Sequence, residues 1–177
     1  ELRIRFPQYI FGDQDDNLPT VVGRLLRSVH KSVATVESCT GGALAHSIVT
    51  IPGSSDYFMG SFLTYSNQLK MQLAEVKEDD LINYGAVSSQ VVEQMAVTGR
   101  KKLGVDYCIA TSGIAGPDGG SVKKPVGTIW IAIASENQVF SKLFQFGDNR
   151  ERNIQMTVLS ALNLLRCTIL NISSEKK

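Results

Sequence analysis

Histidine and cysteine are scarce in this 177-residue chain, which has only His30, His46, Cys39, Cys108 and Cys167. No CxxC pair and no Cys/His group at zinc-ligand spacing occurs, which argues against a structural metal site; three widely spaced thiols make no disulfide framework. Cys108 and Cys167 lie in apolar runs and read as small core residues. There is no run of about 18 apolar residues and no signal peptide, so a cytoplasmic location and no membrane partner are expected. The formal net charge of +1 leaves no basic arm for a nucleic-acid partner. The GxSxG elbow, the GxGxxG fingerprint and the P-loop are all missing, and no internal repeat or low-complexity segment stands out.

What remains is the make-up of an ordinary globular domain, 43% hydrophobic and 20% charged. A chain of this size buries roughly two-thirds of its unfolded surface and needs no staple. It opens at Glu1 in a polar segment, so residues 1–18 are expected to be a linker from a missing N-terminal domain that docks on the compact unit, 19–172. The tail 173–177 is expected to fray. Helical spacing of Val21, Val22, Leu25, Leu26 and Val29 predicts a helix over 19–31, with Asn17 as its cap and Pro19 in its first turn. A β-rich run, 32–37, leads into Ser38-Cys39-Thr40-Gly41-Gly42, which opens a helix reaching about Thr50 and stopped by Pro52-Gly53. A strand over 59–66, a short helix over 67–74 and a longer helix from the Ser88 cap to about Leu103 follow. Then come a strand over 106–112, a glycine-rich loop from Gly113 to Gly120, an antiparallel pair (126–135 and 138–145) and a last helix over 150–169. Strands and helices alternate, which predicts an α/β fold: three α/β/α layers around a mixed central sheet, in a single compact domain.

Three segments can carry chemistry. The corner Ser38 to Gly42 joins a strand to a helix, where unpaired N–H groups and glycines let a ligand approach the backbone. Such a corner serves a helix cap or a phosphate site, and equally a nucleophile with its oxyanion donors. A serine nucleophile needs a base, and neither histidine suits: His30 ends the first helix, and His46 lies roughly 10 Å along the helix from Ser38. Tyr65-Ser66-Asn67-Gln68-Leu69-Lys70 offers a tyrosine and a lysine instead; Lys70 reads either as a solvated helix lysine or as a base whose pKa burial has lowered. The Gly113 to Gly120 loop follows a strand and is either a plain turn or a cradle for a phosphate or ribose. Lys123, Lys124, Arg150 and Arg152 supply cations near it, which together suit a small anionic substrate.

The segments Glu37-Ser-Cys-Thr-Gly-Gly42, Pro52-Gly-Ser-Ser-Asp-Tyr-Phe58, Tyr65-Ser-Asn67 with Lys70, Gly85-Ala-Val-Ser88, Gly113-Ile-Ala-Gly-Pro117 and Lys124-Pro-Val-Gly-Thr-Ile-Trp130 occur in an order and spacing that resemble a known family. It is the C-terminal domain of the competence/damage-inducible CinA proteins, the nicotinamide-nucleotide amidase family. The resemblance covers about residues 20–168, and residues 9–26 are similar to the joint that connects an N-terminal molybdopterin-binding-like domain in two-domain members. It implies a bacterial amidohydrolase that converts nicotinamide mononucleotide to nicotinic acid mononucleotide and ammonia, with no cofactor and no metal. It also implies Ser38 as nucleophile, favoured over the neighbouring Cys39, with Tyr65 and Lys70 activating it. On this reading the backbone of Cys39, Thr40, Gly41 and Gly42 holds the oxyanion, while Ser112, Gly113, Gly116, Lys124 and Arg152 hold the substrate. Ser112 stands where the family usually has threonine; the hydroxyl survives, and its hydrogen-bonding role is expected to persist. A nucleotide-binding regulatory module linked to competence or DNA damage, without turnover, is the alternative. A sheet edge and apolar helix faces predict a homo-oligomer, a dimer or larger.

Overall fold

A computed structural model describes residues 5–12 and 16–172. The elements run α1 (Leu18–Ser28), β1 (Val33–Glu37), α2 (Ala43–Val49), a 3-10 turn (Ser54–Asp56), β2 (Phe58–Leu63), α3 (Asn67–Ala74), α4 (Glu78–Tyr84), α5 (Ser89–Leu103), β3 (Tyr107–Gly113), β4 (Thr128–Ala134), β5 (Val139–Gln145) and α6 (Arg150–Ile169). The strands form one mixed sheet in the order β2-β1-β3-β4-β5. β1 lies parallel to both β2 and β3, whereas β3-β4-β5 is an antiparallel meander.

Side-chain alternation along the strands sends residues to two separate cores. On one face Val33, Ile109, Ile129, Ile131 and Ile133 pack under α1, α2 and α6. On the other, the strands present Ala34, Val36, Cys108, Ala110, Ala132 and Ala134 to α5, whose Val91, Val92, Met95 and Ala96 are fully buried. That second face is built from small residues, so α5 rides close to the sheet. At Gly99 a Cβ would collide with the Val36 side chain and the Cys108 sulfur. The expected three-layer α/β/α domain with a mixed sheet is therefore what the chain forms.

Local signals placed most elements. Asn17 caps α1 by accepting from the Thr20 amide, Ser66 caps α3 through Leu69 N–H, and Ser88 caps α5 through Val91 N–H. Two differences stand out. Gly41 and Gly42 belong to a tight turn with φ of 62° and 95°, so α2 starts at Ala43 rather than at the serine. The expected elements include no helix between Ala74 and Gly85, yet α4 forms there. It has no side-chain cap and buries only Leu81, but its first turn carries Glu78, Asp79 and Asp80, which suit the positive end of a helix. The predicted tail, 173–177, and residues 1–4 and 13–15 of the predicted linker lie outside the described residues. Within the rest of that linker, the carbonyl of Gln8 accepts from Asn163 and from the buried Arg166 on α6.

Candidate active site

Three parallel strands deliver their carboxyl ends to one place. β1 and β2 finish level, with Glu37 opposite Leu63, and Glu37 also faces Thr111 of β3. Ser38, the first residue past β1, is tied down by its N–H donating to Thr111 O at 3.1 Å. A cleft of about 260 Å³ opens at this point, walled by Ser38, Cys39, Lys70, Ala86, Val87, Ser112 and Gly113, with Tyr65, Asn67, Ala115 and Arg150 completing the lining. Ligands of α/β sheets bind at such strand ends.

Lys70 is the unusual group here. It sits one turn into α3 on the face that also carries Ala74, and it is 1% exposed. Its Nζ lies 3.0 Å from Ser38 Oγ, 2.8 Å from Thr64 O and 3.3 Å from Tyr65 O. No carboxylate is among these contacts. Burial disfavours the ammonium and lowers its pKa to about 8. A neutral amine has two N–H donors and one lone pair. As an ammonium Lys70 donates to all three oxygens; once neutral, with its two donors kept on the main-chain carbonyls, its lone pair can face the serine hydroxyl.

Cys39 also lines the cleft, but burial pushes its thiol up to about 12, so it carries no thiolate near neutral pH. His30 and His46 are exposed and stand apart from the cleft lining. Glu37, in sequence only the first residue of the 37–42 motif, has a larger part in the structure. Its carboxylate is completely buried and accepts from Thr40 Oγ1 at 2.7 Å and from the amides of Gly42, Leu44 and Ala45 at 3.0, 3.1 and 2.7 Å. The Thr35 hydroxyl donates to it as well, at 3.2 Å. Thr40 Oγ1 in turn meets Thr111 Oγ1 at 2.8 Å.

The expected site residues do not all face the cleft in the expected way. Gly41 N–H donates to Ser38 O and Gly42 N–H to Glu37, so neither amide is available to an oxyanion. Tyr65 reaches Lys70 through its carbonyl; its phenol is exposed at the rim, 3.4 Å from an Arg150 guanidinium nitrogen. Arg152 is exposed and outside the lining, while Arg150 lines the cleft. Two residues along a helix turn about 200°, so the two arginines cannot share a face. Lys124 donates to the carbonyls of Tyr84 and Val87, at 2.7 Å for the latter, and so holds the cleft wall rather than lining it. Ser112 lines the cleft and also braces that wall from the other side, donating to Ala86 O at 2.7 Å. Gly113 lines the cleft, whereas Gly116 is spent on Arg150, whose NH1 donates to its carbonyl at 2.8 Å. Among the described residues no group of three or more His, Cys, Asp and Glu is placed to hold a metal ion, and no helix is long and apolar enough to cross a membrane.

Fold and site together define an α/β/α domain with a buried lysine–serine pair at the carboxyl ends of its parallel strands. The family model of the CinA C-terminal domain matches residues 15–169, and the chain belongs to that family. It is 47% identical over 159 residues to a CinA-like protein of Cytophaga hutchinsonii, covering 90% of this chain and 38% of that protein. A CinA-like protein of Microcystis aeruginosa is 47% identical over 166 residues, covering 92% and 40% respectively. The chain thus spans about two-fifths of the length of these relatives. Among solved structures, the competence/damage-inducible protein CihA of Agrobacterium tumefaciens superposes with a TM-score of 0.81 at 33% identity, covering 88% of this chain and 98% of that one. A CinA superfamily protein from Klebsiella pneumoniae gives 0.84 at 30% identity, covering 87% and 96%.

Proposed function

We propose that this domain hydrolyses the carboxamide of nicotinamide mononucleotide, releasing ammonia and nicotinic acid mononucleotide, with Ser38 as nucleophile and Lys70 as its base. The observation that carries this reading is the desolvated Lys70 amine 3.0 Å from the Ser38 hydroxyl, in a cleft whose described lining holds no histidine or carboxylate. A lysine with a pKa of about 8 is partly neutral near physiological pH and accepts a proton without a histidine.

The chemistry runs in two halves. Lys70 takes the Ser38 proton as Oγ bonds to the carboxamide carbon, and main-chain N–H groups of the following turn hold the oxyanion. When the tetrahedral species collapses, the lysyl proton passes to the leaving nitrogen and ammonia departs, leaving a nicotinoyl ester on Ser38. Water then attacks the ester, its proton going to Lys70; the carboxylate leaves and Ser38 regains its hydrogen. Arg150 at the rim is the cation best placed for the ribose phosphate, and the Ala86–Val87 wall is the apolar surface for the pyridine ring.

The test is direct. Wild-type protein is given nicotinamide mononucleotide, and ammonia and nicotinic acid mononucleotide are measured, with Ser38→Ala and Lys70→Ala alongside. The expected result is product in equal amounts from wild type and a loss of at least about a thousandfold in either variant. Product formation that survives Ser38→Ala would sink the covalent scheme. Tight nucleotide binding with no ammonia from wild type would favour a regulatory module instead.

A further inference from the structure

The turn that follows Ser38 has a limited supply of main-chain donors, and most of them are already spoken for. Between Ser38 and Ala45, the amide of Ser38 donates to Thr111 O, Gly41 to Ser38 O, Ala43 to Thr40 O, and Gly42, Leu44 and Ala45 to the Glu37 carboxylate. Among the described residues the amides of Cys39 and Thr40 donate to no other residue; that of Cys39 lies against its own sulfur, a weak acceptor that an anionic oxygen can displace. Both residues are buried, and Cys39 lines the cleft beside Ser38. Main-chain donors left uncommitted beside a nucleophile can serve an oxyanion as it develops.

We infer that Glu37 is a positioning residue: by taking up the amides at the start of α2 together with the Thr40 hydroxyl, it fixes the turn so that Cys39 N–H and Thr40 N–H form the oxyanion hole. The start of α2 is therefore not the anion site, because the internal carboxylate already occupies it. Glu37 reaches the chemistry only through the turn. It is fully buried, and its oxygens contact Thr35, Thr40, Gly42, Leu44 and Ala45 rather than Lys70 or the Ser38 hydroxyl. This deepens the proposed hydrolase reading and rests on it for the natural substrate.

Two changes test it in the intact chain. Glu37→Gln keeps the shape but turns an N–H₂ towards amide donors. Replacement of the Thr40 residue by its α-hydroxy counterpart exchanges one N–H for an ester oxygen and keeps the side chain. Each is measured in two reactions: deamidation of nicotinamide mononucleotide, and acylation of Ser38 by p-nitrophenyl acetate, in which Oγ bonds to the acetyl carbon, Lys70 takes the proton and p-nitrophenolate leaves. Both variants should lose about a hundredfold or more in kcat or acylation rate, with KM little changed and the pH inflection near 8 retained, because Lys70 is untouched. Glu37→Asp, which keeps the charge with a shorter reach, should restore part of the loss. Folding is checked by thermal melting, and the ester variant serves if Glu37→Gln does not fold. Wild-type rates in either folded variant would overturn the inference and leave the amidase reading standing. Acylation that depends on Glu37, without deamidation by wild type, would do the reverse. Neither reaction in wild type would overturn both.

Discussion

At the residue scale, the pH dependence of the proposed reaction is assigned to Lys70. Its pKa is lowered to about 8 by burial, so the neutral, proton-accepting form grows as pH rises towards that value. The expected kcat/KM climbs about tenfold per pH unit on the acid side and levels off above about 8. A flat profile between pH 6 and 9 would contradict a lysine base. Stability carries the same sign. The unfolded chain binds the lysyl proton more tightly than the fold does, so stability rises with pH from about 8 up to the ordinary lysine range; below about 8 the fold must hold a buried ammonium. Lys70→Met is accordingly expected to abolish turnover while its melting temperature at pH 7 stays level or rises. The burial of Lys70 could not be read from spacing, because a lysine at that point of a helix is usually solvated. What buries it is the return of β2 beside β1, a tertiary fact. The resemblance to a family supplied the residue, and the geometry supplies the reason it can act.

At the level of elements, the site depends on how three helices begin and how closely one packs. Asn149 caps α6 by accepting from the Arg152 amide, and Arg150 is the first residue of that helix. Asn149→Ala should cost about 1 kcal/mol of stability by denaturant titration. It should also raise KM for the nucleotide, since the Arg150 end loosens; an unchanged KM would separate the cap from the rim. Gly99, where α5 meets Val36 and Cys108, should tolerate no side chain: Gly99→Val is expected to cost about 1–3 kcal/mol, whereas an exposed helix glycine would gain from the exchange. The capped helices α1 and α5 were legible because Asn17 and Ser88 announce them, whereas the Ser66 cap of α3 was read as the end of the preceding strand. The helix α4 was not, since its acidic first turn looks like a solvated loop and only one of its side chains is buried. Arg152 was chosen over Arg150 for the same kind of reason. Composition shows two cations, and only the helical phase, once α6 is fixed to its neighbours, shows which one faces the cleft.

On the scale of the whole molecule, every group in the proposed mechanism lies within one sheet and its flanking helices, between Glu37 and Arg150. The chain as it stands is therefore expected to deamidate nicotinamide mononucleotide without the remaining three-fifths of its longer relatives; activity that appears only in a longer chain would show that another segment completes the site. All three cysteines are reduced and buried, so melting should be indifferent to reductant.

The acceptors that shape Lys70 are peptide carbonyls, those of Thr64 and Tyr65. No exchange of side chains deletes a carbonyl, so these two partners of Lys70 are invisible to an alanine scan and to any ranking of positions by side-chain identity. Substitutions at Thr64 or Tyr65 can leave the reaction almost intact and still conceal that both positions matter. Only chemistry that rewrites the main chain itself, or a shift of the strand end that carries them, would reveal how much of the active centre is built from groups the genetic code cannot change.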